Sequence, residues 1–567
     1  MDNQFLLPDY IVFIAYAILI LSVGLWVSRD KKGHKKNAED YFLAGKSLPW
    51  WAIGASLIAA NISAEQFIGM SGSGFAVGLA IASYEWISAL TIIIVGKFFL
   101  PVFINQKIYT IPEFVEKRYS TTLKSILAVF WIALFVFVNL TSVLYLGAKA
   151  LDTIIGTGDG SLMMVSIIGI ALFAASYSLW GGLSAVAWTD VIQVVLLIVG
   201  GFATTFIALD HLTPDGGVID GIKHIYNTVP DKLSMIIEKG EIITPNGKDA
   251  WQDLPGLAVL VGGLWVAALY YWGFNQYIIQ RALAAKSLKE AQHGIVFAGF
   301  LKLITPLIVV IPGIIAYVLY MQPEGTTIFS DVKTSFEANG IVQNDNAYPW
   351  LISKFIPTGM KGLVLAALTA AIVSSLASML NSTATIFTMD IYVPYINKKA
   401  TENQKVRTGR LTAATALVIA GVIAPLLGSL PQAFQFIQEY TGIVSPGILA
   451  IFLLGLFCKK ANNKGALWGA FLSIPVAMYF KVAPKQWIDS SNPLSTLFVD
   501  LPWMDQMGIT FLITLTIIMM ISLATNNGKD DAKGININRN TFATDAVFNI
   551  SAFAIILIFV ALYAIFW

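Results

Sequence analysis

Fourteen stretches of this chain are apolar enough and long enough to cross a lipid bilayer, and that repetition sets the class of fold before any motif is read. A spanning helix needs about 20 predominantly apolar residues. The runs 9–27, 48–76, 79–101, 123–151, 162–180, 186–208, 255–283, 291–320, 356–390, 408–427, 432–458, 464–482, 503–523 and 546–566 meet that requirement. Only 12% of residues are charged, against 56% hydrophobic, so the chain lacks the material for a soluble surface of this size. An all-α polytopic membrane protein follows, because lipid tolerates only backbone that is hydrogen-bonded within its own segment or barrel. The first run is expected to remain as a membrane anchor.

Basic residues orient the chain. The loop after the first run carries Arg29, Lys31, Lys32, Lys35, Lys36 and Lys46, which places it in the cytoplasm. Under a fourteen-span count, four further groups fall on the same side: Lys107, Lys117 and Arg118; Lys286 and Lys289; Lys398, Lys399, Lys405 and Arg407; and Lys459, Lys460 and Lys464. So does the polar linker 524–545 with Lys529, Lys533 and Arg539. Both termini and the large loops 209–254 and 321–355 are then expected outside. Cys458 is the single cysteine, which excludes an internal disulfide framework, and the four histidines show no metal-ligand spacing.

Within this apolar background one stretch is out of place. Ala59–Gly74 reads AANISAEQFIGMSGSG, with Asn61, Ser63, Glu65 and Gln66 followed by a run of glycine and serine. Polar groups at membrane depth face protein, a cavity or a ligand. Two readings stand: a span broken near the bilayer middle, whose free carbonyls and amides line a site, or a polar seam packed against neighbouring helices. The seventh run, GLAVLVGGLWVAALYYWGFNQYIIQR, is irregular in the same way, with Gly262, Gly263, Gly273, Asn275 and Gln276. Two interrupted spans five elements apart suggest two five-helix repeats of opposite topology, with a site between the breaks.

Candidate chemistry clusters around those breaks. Glu85 and Ser88 share a helix face. With Glu65 and Gln66 they form either a hydroxyl-binding pocket or an interhelical polar network. Lys302 is a buried cation that needs a partner: Asn61, Glu65, a bound solute or a structural carboxylate. Ser374 and Ser375, one turn from Ala371, supply hydroxyls suited to a hard monovalent cation, or alternatively a small-residue packing face. Asp190 reads as a second cation or proton site, or as an anion at a helix start. Asp390 reads as interfacial. Phe434 and Gln438 fit a pocket cap and a hydroxyl ligand, and Tyr84, Tyr271 and Trp272 fit either ring stacking on a sugar or ordinary packing.

The strings AANISAEQFIGMSGSG, YEWISALTIIIVGKFFLP, YSLWGGLSAVAWTDVIQ, YYWGFNQYIIQR and AAIVSSLASMLNSTATIFTMD carry a resemblance to the sodium/solute symporter family. Within it the chain is most similar to the bacterial sodium/galactose (sodium/glucose) cotransporters. The resemblance implies a leucine-transporter-like core of two inverted five-helix repeats, with one helix before it and three after, fourteen in all. The corresponding segments are 1–47, 48–208, the loop 209–254, 255–458 and 459–567. It implies a main sodium site from the carbonyls of Ala59, Ile62 and Ala371 and the hydroxyls of Ser374 and Ser375. It implies a sugar site from Gln66, Glu85, Ser88, Lys302 and Gln438, with Asn61 nearby. Tyr271 is then an inner gate, Met70, Tyr84 and Phe434 an outer lid, and Asp190 a residue near the sodium exit. At Ala268 the galactose transporter carries a sugar-binding asparagine, so this position is expected to tune which hexose is accepted.

The implied function is symport of a hexose with sodium across a bacterial inner membrane by alternating access. Sodium is the coupling ion, no organic cofactor is involved, and nucleic acid is not a partner. Three other readings compete. A relative of the same family carrying an amino acid or organic acid is disfavoured by Glu85, which repels a free anion. Proton coupling would run through Asp190 or Glu85. A channel is disfavoured by aromatic lids at both ends, and an intramembrane enzyme by the lack of a metal triad or a nucleophile–base pair.

Overall fold

A computed structural model describes residues 5–29, 36–156, 160–213, 216–322, 332–338, 340–427, 433–482 and 501–567. Lys31, Lys32 and Lys35 of the first basic loop and residues 214–215 of the loop 209–254 lie outside the described residues. Among the described residues the fold is all-α apart from one pair of two-residue strands, Glu337–Ala338 with Ile341–Val342.

Among the described residues, nine helices are long and apolar enough to cross a membrane, and ten if the bent pair Ala250–Val261 and Gly263–Phe274 counts as one span. The expectation of fourteen spans is therefore corrected. Apolarity marks chain that lies in lipid or protein; it does not mark where a helix is continuous. The runs 162–180 and 186–208 follow one another without a loop in the stretch Met163–Asp210, two helices meeting at a kink where Gly182 has a non-helical backbone (φ 60°, ψ −152°). A side chain at Gly182 would run into the Tyr41 carbonyl, 2.2 Å from an ideal Cβ. The runs 48–76 and 432–458 are interrupted, leaving pieces such as Trp50–Asn61 and Ser445–Phe457 that are too short to span alone. The run ending at Asp390 continues instead to Ile396. That continuation buries Asp390, 3.7 Å from Lys124, which corrects its reading as an interfacial residue.

The two faces of the bundle are defined by contacts. Asp9, at the start of the first helix, accepts from the backbone N–H groups of Gly359 (2.7 Å) and Gly362 (3.0 Å), just past the loop 321–355. The Phe566 carbonyl accepts from the Met235 N–H at 2.7 Å, inside the loop 209–254. Both ends of the described chain therefore share a face with the two large loops.

On the opposite face Arg118, 1% exposed, donates to the carbonyls of Gly455 (2.9 Å), Cys458 (2.9 Å) and Ala461 (2.7 Å). These are carbonyls at and just past the end of Ser445–Phe457, where a cation both satisfies orphan acceptors and complements the helix dipole.

Candidate functional site

The polar stretch folds as a broken helix. Trp50–Asn61 ends where Ile62 turns extended (ψ 99°), and a π-helical turn, Glu65–Met70, follows. The Gln66 side chain causes part of the break: its Oε1 accepts from both the N–H and the hydroxyl of Ser63 at 3.0 Å. The Ser63 N–H is thereby turned away from the Ala59 carbonyl, its regular helical acceptor. Beyond the break, Gly69 packs on Phe434 and Gly72 on Asp345 of the loop 321–355. An ideal Cβ would sit 2.7 Å and 2.4 Å from those residues, so only glycine permits the approach. The seventh run is broken twice, at Gly262 and at Asn275, and the Gly262 break bends its helices by 76°.

Between these breaks lies a cavity that collects residues from several elements. Asn61, Glu65, Gln66 and Met70 come from the broken stretch, Tyr84, Glu85 and Ser88 from the next helix, and Ala268, Tyr270, Tyr271 and Trp272 from the bent span. Lys302, Phe434 and Gln438 complete it. Lys302 pairs with Glu85, both almost fully buried, and its ammonium stands 5.2 Å from the Trp272 ring centre. Of the partners open to Lys302 in the sequence, the structure selects a carboxylate, at the cavity wall. The Ser88 hydroxyl donates to the Tyr84 carbonyl at 2.6 Å.

Aromatic groups lie at the two ends. Tyr84 meets Phe434 edge-on, with centroids 5.1 Å apart, beside Met70 and toward the loop 321–355. Tyr271 accepts from Asn61 Nδ2 (2.9 Å) and from the Tyr277 hydroxyl (2.6 Å). Tyr277 leads to the basic face, where the neighbouring Gln276 accepts from the Ile111 N–H at 2.8 Å.

The serine pair on Met360–Ile386 splits its contacts. Ser375 donates to the Ala60 carbonyl at 2.9 Å, and Ser374 donates to Asp190 Oδ1 at 2.6 Å. Ala59, Ile62 and Ala371 are all buried. A hydroxyl that donates still offers lone pairs to a cation. Asp190 is fully buried and sits beyond the Gly182 bend inside Met163–Asp210, so its reading as a helix-start anion is corrected. It accepts from Ser56 and Ser374 and pairs with Arg281 at 3.3 Å.

Arg281 was not singled out in the sequence. The available signal was a lone cation in an apolar span, which demands a buried acid. Glu65, which with Gln66 fits either a hydroxyl-binding pocket or an interhelical polar network, lies on the cavity wall.

The sequence profile of the Sodium:solute symporter family matches residues 41–473. The chain belongs to that family. This symporter is 57% identical to the "Sodium/glucose cotransporter" of Vibrio parahaemolyticus, over 99% of this chain and 98% of the relative. It is 31% identical to "Sodium/glucose cotransporter 1" of Sus scrofa, over 91% of this chain and 79% of that one. Its fold matches the outward-open, substrate-bound structure of a Na+-coupled sialic acid symporter, with TM-score 0.73 at 24% identity, covering 92% of this chain and 98% of the other. The symporter is thus a transporter and not an enzyme, with sodium as its coupling ion. It is a multi-pass protein of the bacterial inner membrane.

Proposed function

We propose that this symporter carries a neutral hexose, galactose or glucose, together with sodium by alternating access. The observation that supports this most is the cavity between the two broken spans. It combines hydroxyl-binding groups (Asn61, Gln66, Glu85, Ser88, Lys302, Gln438) with aromatic surfaces above and below. The names of its sodium/glucose relatives point the same way. Sodium is assigned to the carbonyls of Ala59, Ile62 and Ala371 and the hydroxyls of Ser374 and Ser375, which join the broken stretch to Met360–Ile386. Sodium holding those two elements together favours the state open to the outside. Its departure into the cytoplasm, past Asp190, loosens them and frees Tyr271 to move. Met70, Tyr84 and Phe434 form the opposite lid. The driving force is the ion gradient plus about 2.3 kcal/mol per charge per 100 mV of membrane potential.

The repeats are assigned to 48–208 and 255–458, and both termini to the periplasm, on the strength of the basic face opposite them. The decisive experiment is uptake into proteoliposomes of a panel of radiolabelled sugars, with and without an inward sodium gradient. Sodium-independent uptake, or no hexose uptake at all, refutes the reading.

Two mutational results are expected. Ser375→Ala removes a hydroxyl at the join between the broken stretch and Met360–Ile386. The sodium concentration for half-maximal uptake should rise roughly tenfold, equivalent to the loss of about 1–1.5 kcal/mol from one polar ligand. Ser374→Ala should have a similar or smaller effect. An unchanged sodium curve in the double variant moves the ion elsewhere.

Ala268 presents a methyl group on the cavity wall. Ala268→Asn should favour galactose over competing hexoses by up to about tenfold, because a hydroxyl facing a methyl group gains a partner. Competition profiles for galactose uptake, wild type against variant, measure this, and identical profiles exclude Ala268 as a selectivity position.

A further inference from the structure

The two helices that carry the Glu85–Lys302 pair, Ser83–Ile94 and Leu288–Met321, also wall a second cavity. Trp86, the residue after Glu85, lines it, as do Pro306 and Leu307 one turn beyond Lys302. Phe206, Ile225 and Leu562 bring in the stretch Met163–Asp210, the loop helix Val218–Thr228 and the helix Ala546–Ile565. Among the described residues no charged side chain lines it. The buried polar groups of its wall are spent within the wall. The Thr205 hydroxyl donates to the Leu307 carbonyl at 2.8 Å, and the Trp86 indole N–H donates to the Leu303 carbonyl at 3.2 Å. Water finds no partner in such a space, which stays dry and takes up apolar matter.

The cavity is continuous with the lipid-facing surface. Val195, Val199 and Phe206 are exposed on one face of their spanning helix, and Phe206 and the exposed Leu307 stand at the mouth. On Val218–Thr228 the exposed apolar residues Ile219, Ile222 and Tyr226 share a face, with Asp220, His224 and Asn227 round the other side. A helix of that kind lies in the headgroup layer. The cavity it roofs therefore begins at the depth where acyl chains begin. A polypeptide is a poor occupant. Its N–H and C=O groups would lose water and meet no partner here unless it were helical, and a helix is about 10 Å across. An acyl chain brings no such groups.

We infer that this cavity seats one acyl chain of a bilayer phospholipid, and that the seated chain raises the affinity of the sugar site. Pro306 has no N–H to offer the Lys302 carbonyl, so Leu288–Met321 loses a rung beside the ion pair. The Trp86–Leu303 hydrogen bond ties the two helices together at that level. A chain packed against Trp86, Pro306 and Leu307 supports this joint, and an empty cavity strips those groups of their packing contacts. The coupling rests on the reading of the first cavity as the hexose site; the lipid seat does not.

The test uses the full-length protein in nanodiscs containing a phospholipid with a photoreactive diazirine in its acyl chain. Label should concentrate on the wall segments 202–209, 222–226, 306–311 and 562–566, severalfold above the exposed lipid face at Val129 and Phe137. Ile222→Trp fills the mouth from an exposed position and should cut the wall label severalfold while leaving Val129 and Phe137 unchanged. Label spread evenly over the lipid-facing helices overturns the seat, and the wild-type result does not depend on the variant. For the coupling, glucose binding by delipidated wild type should weaken about fivefold and return on adding phospholipid, with Ile222→Trp indifferent to the addition. Concentrated label with a glucose affinity that ignores lipid overturns the coupling. If the lipid-replete wild type binds no hexose, the hexose reading falls, and the labelling pattern still decides the seat.

Discussion

Arg281→Ala is expected to lower the melting temperature of the purified protein sharply and to abolish transport. The guanidinium is fully buried and ties four helices together. Its Nε donates to Ser56 at 2.6 Å, its other nitrogens donate to the Tyr277 carbonyl and the Ser378 hydroxyl, and it pairs with Asp190. Ser56 belongs to the helix before the break, Ser378 lies one turn beyond the serine pair, and Arg281 itself follows the second break of the seventh run. Removing it leaves Asp190 charged and unpaired in the interior, at a cost of about 3–5 kcal/mol. That is a large part of the stability of an ordinary domain. Arg281→Lys keeps the charge but loses the planar fork, so it should recover only part of the stability. Arg281→Ala combined with Asp190→Asn should recover more, because the orphaned charge goes with it. Thermal unfolding in detergent reads all three. Equal losses in the single and double variants would falsify the pair as the source of the effect.

The second large effect is expected at the cavity. Glu85→Ala strands the Lys302 ammonium, and Lys302→Ala strands the Glu85 carboxylate, each almost without exposure. Either change should destabilise the fold by about 3–5 kcal/mol, the cost of breaking a buried pair, and should weaken sugar binding by roughly ten- to a hundredfold, from a lost hydrogen bond to a charged group worth about 1.5–3 kcal/mol. Glu85→Gln with Lys302→Met removes both charges and should restore stability without restoring binding. That divergence separates a structural pair from a ligand-binding one. Calorimetry on purified protein measures binding, and thermal unfolding measures the fold. Sugar affinity that recovers together with stability in the double variant would mean that the pair only holds helices.

The membrane class was legible because apolar runs are a local property. So was the break at 59–74, where Asn61, Gln66 and a glycine-serine run could not all sit comfortably in a continuous helix facing lipid. What could not be read is continuity and distant pairing. Gly182 has a backbone that only the folded contact with Tyr41 explains, and the two helices on either side of it meet there at a kink without an intervening loop. Arg281 and Asp190 lie 91 positions apart, with no spacing rule to join them. The cavity stands between these cases. Glu85 and Ser88 are one turn apart, but Lys302, Gln438 and Tyr271 come from remote elements, and only the family resemblance grouped them before the structure brought them together.

Arg118 has a consequence for how the protein is made. It leaves the ribosome early, yet three of its acceptors are the carbonyls of Gly455, Cys458 and Ala461, more than 330 positions later. Until that segment has been synthesised and inserted, the guanidinium has no buried place to go and must stay hydrated at the membrane surface. The nascent chain therefore carries an open seam between its early loop and its late helices through most of its synthesis. Closing that seam is one of the last acts of assembly. A chain that stalls before the late segment appears retains an exposed, unsatisfied surface at the membrane edge, where quality-control proteases can reach it.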